Sequence, residues 1–174
     1  EEYVIIGPSN NLEWIQPYIG PNQRLVRGIR TFNNDPKPAP KSKLLKAMER
    51  PLLWALRRQL GASNKQWGKV PVSTGFYERL KCAVIHFPTQ MYTISALPSI
   101  YNPHDLQHIH YPHFFTPPIL AWREMTYRAG CHFAHKVVVG SEWVKQDIIN
   151  HYQIDPKKIQ VIPWAPPTVA YKEP

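Results

Sequence analysis

The densest run of side chains able to do chemistry lies just after Pro103. His104, Asp105, His108, His110 and His113 crowd into ten positions, with Pro112 among them. Imidazole and carboxylate are ordinary ligands for zinc or iron, so a metal reading arises at once. Two observations weaken it. His104 and His108 share a face only on a helix, whereas Pro103 and Pro112 make the stretch largely loop, and the chain holds no H-E-x-x-H and no C-x-x-C. No metal ligand is assigned. G-x-S-x-G, Walker and G-x-G-x-x-G signatures are absent too.

A second reading looks at where single histidines fall. His86-Phe87-Pro88 follows the apolar run Cys82-Ala-Val-Ile85, and Asn102-Pro103-His104-Asp105 follows Leu97-Pro-Ser-Ile-Tyr101. If both runs are strands of an open parallel sheet, each puts a histidine at a carboxyl end, where the ligand crevice of such sheets lies. Imidazole can bond a phosphate or a sugar hydroxyl and changes charge near neutral pH. The alternative is that each ring only holds its loop by bonding backbone carbonyls. His86 and His104 are therefore the positional candidates.

The elements that must carry them can be read from pattern. Residues Glu2 to Gly7 read as a buried strand, Asn10 to Gln16 as a short helix before Pro17, and Leu25 to Ile29 as a strand. Thr31 to Pro40, with Asn-Asn-Asp-Pro and alternating prolines, reads as an exposed loop. Lys43 to Leu60 has Leu45, Met48, Leu52 and Leu56 at helical spacing, with Pro51 expected to kink or split the helix. Pro118 to Arg128 reads as a proline-opened helix. The clearest unit follows: strand Lys136 to Val139, a Gly140-Ser141 turn with Ser141 as cap, a helix carrying Val144, Ile148 and Tyr152, and a strand from Ile159 to Ile162. Strand, helix, strand over so few residues is a parallel crossover, so the class is α/β, a Rossmann-like parallel sheet flanked by helices.

Composition narrows the partners. The 174 residues carry a net charge of +9, and all of it sits between Lys37 and Lys81. A local excess of this kind suits a membrane surface or a phosphate-bearing ligand better than a nucleic acid, for which no basic-aromatic motif appears. The segment from Lys41 to Arg58 can be a solvated face, or an amphipathic surface with Leu, Met and Trp54 at a lipid boundary and cations on anionic headgroups. No apolar run is long enough to span a bilayer. Cys82 and Cys131, far apart in sequence, read as free thiols in a reducing, cytoplasmic setting. Glu1 is not an initiator Met, so residues are expected to precede it.

The phrase Pro98-Ser-Ile-Tyr-Asn-Pro-His-Asp-Leu-Gln-His-Ile-His-Tyr-Pro112 resembles the His-Asp-Leu-Gln-His segment of glycosyltransferase family 4, retaining enzymes of the GT-B fold. Arg123 and Tyr127 on a helix, the strand at Val137 to Val139, Ser141-Glu-Trp-Val-Lys-Gln-Asp-Ile148, Tyr152 and Lys158-Ile-Gln-Val-Ile-Pro163 resemble the end of its N-terminal domain in order. The likeness covers residues 82 to 166. It implies two Rossmann-like domains across a cleft, residues 1–166 forming the acceptor-side one, incomplete at its start, and 167–174 beginning a linker or tail. A nucleotide-sugar donor would then bind a C-terminal domain that this chain lacks, the acceptor would be a sugar or lipid-linked molecule, and no cofactor is implied. By similarity His104 matches the cleft histidine near the transferred sugar and is the catalytic candidate. Asp105, orienting that ring, binding an acceptor hydroxyl or capping a turn, joins His86 and Arg123 as candidate substrate-binding residues. The alternative function is a non-catalytic Rossmann-like module docking an anionic partner, or the inner membrane face peripherally, through its basic segment.

Overall fold

Two parallel sheets and their flanking helices make up the computed structural model, which describes residues 2–7, 11–28, 43–67 and 69–164. The first sheet pairs β1 (Tyr3–Gly7) with β2 (Gln23–Arg27) in parallel, Tyr3 opposite Gln23. Between them, over the described residues 11–18, the helix predicted for 10–16 gives way to turns and a single 3-10 turn, Gln16–Tyr18. Pro17 sits inside that turn, in an early position where its missing N–H costs nothing. The loop expected at 31–40 and the linker or tail expected at 167–174 lie outside the described residues.

Helix α1 (Lys43–Gln59) runs unbroken through Pro51. Its inward face also differs from the predicted one. Leu53, Leu56 and Leu60 turn inward, at the three- and four-residue spacing of one helical stripe, whereas Met48 and Leu52 are exposed. Arg57 explains the choice of face: its guanidinium donates to the carbonyls of Trp67 and Val70, each at 2.6 Å, docking the helix on the turn that follows. A short helix α2 (Phe76–Arg79) leads into the second sheet.

That sheet holds β3 (Ile85–Phe87), β4 (Ser99–Tyr101), β5 (Lys136–Val139) and β6 (Ile159–Val161), in sequence order with every step parallel. β3 starts three residues later than predicted, because its partner does. Pro98 cannot donate to a ladder; its carbonyl accepts from Ile85 N at 2.9 Å, and pairing opens with Ile85 opposite Ser99. His86 consequently lies inside β3, exposed between buried Ile85 and Phe87, and not beyond the strand's end.

Helices α3 (Gln107–His110), α4 (Pro117–Phe133) and α5 (Glu142–Tyr152) provide the crossovers. α4 continues a turn past the predicted end at Arg128, since Ala129, Gly130 and Cys131 are buried and Gly130 lies over the ring of Tyr101. Ser141 caps α5 as expected, its Oγ accepting from Val144 N at 3.3 Å. Tyr101, Leu106, Tyr127, Val137, Val139 and Ile148 are sealed in the core between sheet and helices. Both cysteines are free, and burial pushes the Cys131 thiol up to about 12. Among the described residues no helix is long and apolar enough to cross a membrane.

Candidate functional site

All four strands of the second sheet run the same way, so their carboxyl ends form one edge. Pro88 follows β3, Asn102 to Asp105 follow β4, Gly140 follows β5 and Trp164 stands three residues beyond β6. His104 ties this edge together. Its ring Nε2 lies 2.8 Å from the Pro88 carbonyl oxygen, and its ring centroid lies 4.9 Å from that of Trp164 with the planes at 85°. Trp164 in turn lies against Gly140, where an added Cβ would sit 3.6 Å from the indole Nε1.

The backbone under His104 is unusual. Its φ is +70°, and Asp105 N donates to the Pro103 carbonyl at 3.0 Å across it, the two marks of the strained left-handed γ-turn. Such a conformation costs a non-glycine residue roughly 1–3 kcal/mol and persists only where the surroundings enforce it. Here Pro103 is fully buried, and Asn102 N donates to the Phe87 carbonyl at 3.0 Å, so the turn is pinned on its amino side. The ring's bond to Pro88 pins it from the other.

A carbonyl oxygen only accepts, so Nε2 carries the hydrogen in that bond. The lone pair of the neutral ring is then on Nδ1, which makes no hydrogen bond among the described residues. His104 is half-buried and presents a hydrogen-bond acceptor of fixed direction at the sheet edge.

The other candidates spread around it. Asp105 Oδ1 accepts from Gln107 N at 3.1 Å, the turn-capping geometry, and the imidazole of His104 is held by Pro88 instead. Arg123, on α4, donates to the Tyr127 hydroxyl at 3.0 Å and stacks its guanidinium 4.3 Å over Phe115. Its Nε is buried without a partner. Burial pushes the Tyr127 hydroxyl up to about 12, against the pull of Arg123, and the Asp105 charge adds to the rise. No hydrogen bond, ion pair or ring contact among the described residues joins Arg123 or His86 to His104.

The remaining histidines of the motif go elsewhere. His108, buried, lies 3.3 Å from a Glu124 oxygen that also accepts from Tyr152, and Arg128 donates twice to the other oxygen at 2.9 and 2.6 Å. The hydrogen bond from His108, opposed by burial and reinforced by Arg128 and Tyr152, holds the Glu124 carboxyl down at about 2. His110 Nε2 meets buried Asp147 at 2.8 Å, and His151 Nδ1 meets the same carboxylate at 3.1 Å. These two networks lock α3 onto α4 and α5. Among the described residues no three His, Cys, Asp or Glu side chains converge on a point that could hold a metal ion.

Two hollows lie away from the edge, one against β2 beside Leu12 and Leu25, the other beneath α1 beside Leu60, Ser73 and Glu78. Sequence reasoning missed two partners in this site, the Pro88 carbonyl and Trp164. The second was within reach, since Trp164 follows a strand end just as His104 does.

Residues 63–165, most of the described chain, match the model of the family described as Glycosyltransferase Family 4. No curated protein matches the chain.

Proposed function

The chain belongs to glycosyltransferase family 4, and from that premise we propose that it is the acceptor-side half of a retaining, GT-B-type glycosyltransferase. The substrates of this reading are a nucleotide-sugar donor and a sugar or lipid-linked acceptor, with the donor bound chiefly by a further domain across the strand-end edge. The observation that carries it is His104, forced into a left-handed turn at the carboxyl edge with Nδ1 open.

In the transfer, the bond from the donor's anomeric carbon to the diphosphate oxygen breaks and a bond from that carbon to the acceptor oxygen forms. The acceptor hydroxyl proton passes to the departing diphosphate. Both exchanges occur on one face, so no carboxylate nucleophile is required. His104 Nδ1 is suited to accept a hydrogen bond from a sugar hydroxyl and hold the ring still as positive charge develops at its anomeric carbon. The free oxygen of Asp105 and the guanidinium of Arg123 supply acceptor contacts, whereas His86, inside β3, lies short of the strand-end edge.

The test is sugar transfer by the full-length natural protein carrying His104→Ala. Activity is expected to fall about 100- to 1000-fold, the scale of losing one preorganised polar contact at a reacting centre. Wild-type turnover in that variant would overturn the assignment.

A second reading rests on its own observation. Met48, Leu52 and Trp54 are exposed on α1, together with Arg50 and Arg58, and the Arg58 guanidinium lies 5.5 Å over the Trp54 ring. The stripe Arg50, Trp54 and Arg58, at four-residue spacing on one side of α1, fits peripheral docking on an anionic membrane, whether the chain is catalytic or a binding module alone.

A further inference from the structure

The side chains of Met48, Leu52, Leu56 and Leu60 follow one another at four-residue spacing, so they form a single apolar ridge along α1. Leu60 N donates to the Leu56 carbonyl at 3.0 Å, which carries the ridge one residue past the end of the helix. The two halves differ in exposure. Leu56 and Leu60 turn toward the body of the protein, whereas Met48 and Leu52 are 66% and 57% exposed. At 1.5 Å per residue the ridge runs roughly 18 Å, and its inner end borders the hollow beneath α1.

That hollow measures about 150 Å³. An apolar cavity of this order takes up a molecule of benzene's size from water. Leu56, Leu60 and Ala96 supply carbon walls, and the polar groups are spent on one another: Ser73 Oγ donates to Glu78 Oε2 at 2.6 Å, while Ser95 Oγ and Ala96 N donate to Oε1 at 3.2 Å each. A peptide seated there would bring N–H and C=O groups in need of partners; an alkyl chain brings none. The hollow is also remote from the catalytic candidate. Ala96 precedes the amino end of β4, and His104 follows its carboxyl end.

Charge decides the head of such a ligand. The ridge and every wall of the hollow except Ala96 fall between Lys37 and Lys81, the segment that carries the whole net charge of +9. The exposed end at Met48 is flanked in sequence by Lys43, Lys46 and Arg50 against Glu49. An apolar track in a cationic field fits an amphiphile with a negative head, and a ridge one side chain wide fits a single carbon chain.

We propose that α1 and the hollow beneath it bind one long-chain fatty acid. The tail end sits between Leu56, Leu60 and Ala96, the middle lies on Leu52 and Met48, and the carboxylate meets the amino-terminal turn of the helix. A chain of that kind matches the ridge in length, since one acyl chain fills half of a hydrocarbon core about 30 Å thick. The site is separate from the Trp54 and Arg58 stripe, because residues two apart on a helix do not face the same way. It stands independently of the sugar-transfer reading.

The test titrates the full-length protein calorimetrically with octanoate, decanoate and dodecanoate, each below its micelle-forming concentration. Affinity should rise about fourfold per added methylene. Leu52→Glu, at an exposed position, and Ala96→Phe, which fills the hollow, should each weaken dodecanoate binding at least about tenfold. Dodecyltrimethylammonium, with the opposite head, should bind about tenfold less tightly than dodecanoate. Trp54→Ala and His104→Ala should bind dodecanoate as the native protein does. Affinity that ignores chain length, native-like binding by either Leu52→Glu or Ala96→Phe, or binding seen only when vesicles are present would overturn the site. Sugar transfer is scored separately through His104→Ala, so either reading can fail without the other.

Discussion

His104 and Pro88 are joined by a 2.8 Å hydrogen bond from the ring Nε2–H to the carbonyl oxygen, across the carboxyl ends of β4 and β3. That one contact chooses the tautomer, directs the open Nδ1 and helps hold a left-handed backbone that an ordinary residue would leave.

The contact and the strain act against each other in the energetics of residue 104. His104→Ala removes a hydrogen bond worth about 1 kcal/mol and keeps a side chain in left-handed space. His104→Gly removes the same bond but relieves roughly 1–2 kcal/mol of backbone strain. Urea unfolding should therefore rank the glycine variant above the alanine variant by about 1 kcal/mol. Equal midpoints would show that the turn is unstrained.

Glu124 should imprint itself on acid stability. Its carboxyl is held at about 2, below the ordinary 4.5, by the bond from His108 first and by Arg128 and Tyr152 after it. A depressed carboxylate stabilises the fold fully above its unfolded value and loses that contribution as pH falls from about 4.5 to about 2. The stability difference between the native protein and Glu124→Gln should shrink over that window. Because the side chain is 40% exposed, added salt should reduce the difference further. A difference constant with pH would refute the coupling.

Gly130 is where α4 crosses closest to the sheet. A Cβ there would lie 2.4 to 2.7 Å from three carbons of the buried Tyr101 ring. The ring is fully buried in the core, so Gly130→Ala should cost about 3 kcal/mol, at the upper end of overpacking effects. Thermal unfolding would register this as a drop of roughly 6–12 °C for a chain of this size. An unshifted transition would mean that helix and sheet can part freely.

For the basic helix, co-sedimentation with vesicles containing anionic phosphatidylserine should be strong at low salt and weaken as salt rises. A double substitution Trp54→Glu, Arg58→Glu places like charge on one exposed stripe of the helix and should cut binding at least about tenfold. Binding that ignores both salt and substitution would remove the membrane reading.

The α/β class and the crossover from Lys136 onward were legible in sequence, because β-branched strand residues, a serine cap and a four-residue apolar repeat all agree locally. The run Cys82 to Ile85 was less legible. Its apolar character suits a strand, but strand limits depend on a partner, and Pro98 withholds the donor that would have extended pairing. The face of α1 was misread for a related reason. Leu52 and Leu53 are equally apolar, and only the reach of Arg57 to Trp67 and Val70 decides which of them turns inward.

For the site, composition and order alone determined that a histidine follows a strand and that the surrounding motif has a family likeness. Sequence spacing is a one-dimensional quantity. It could group His104, His108 and His110, but only packing shows that they diverge, one to the sheet edge, one to Glu124 and one to Asp147. The partners that give His104 its direction, Pro88 and Trp164, are 16 and 60 positions away, and they meet it because parallel strands bring all their carboxyl ends to one side.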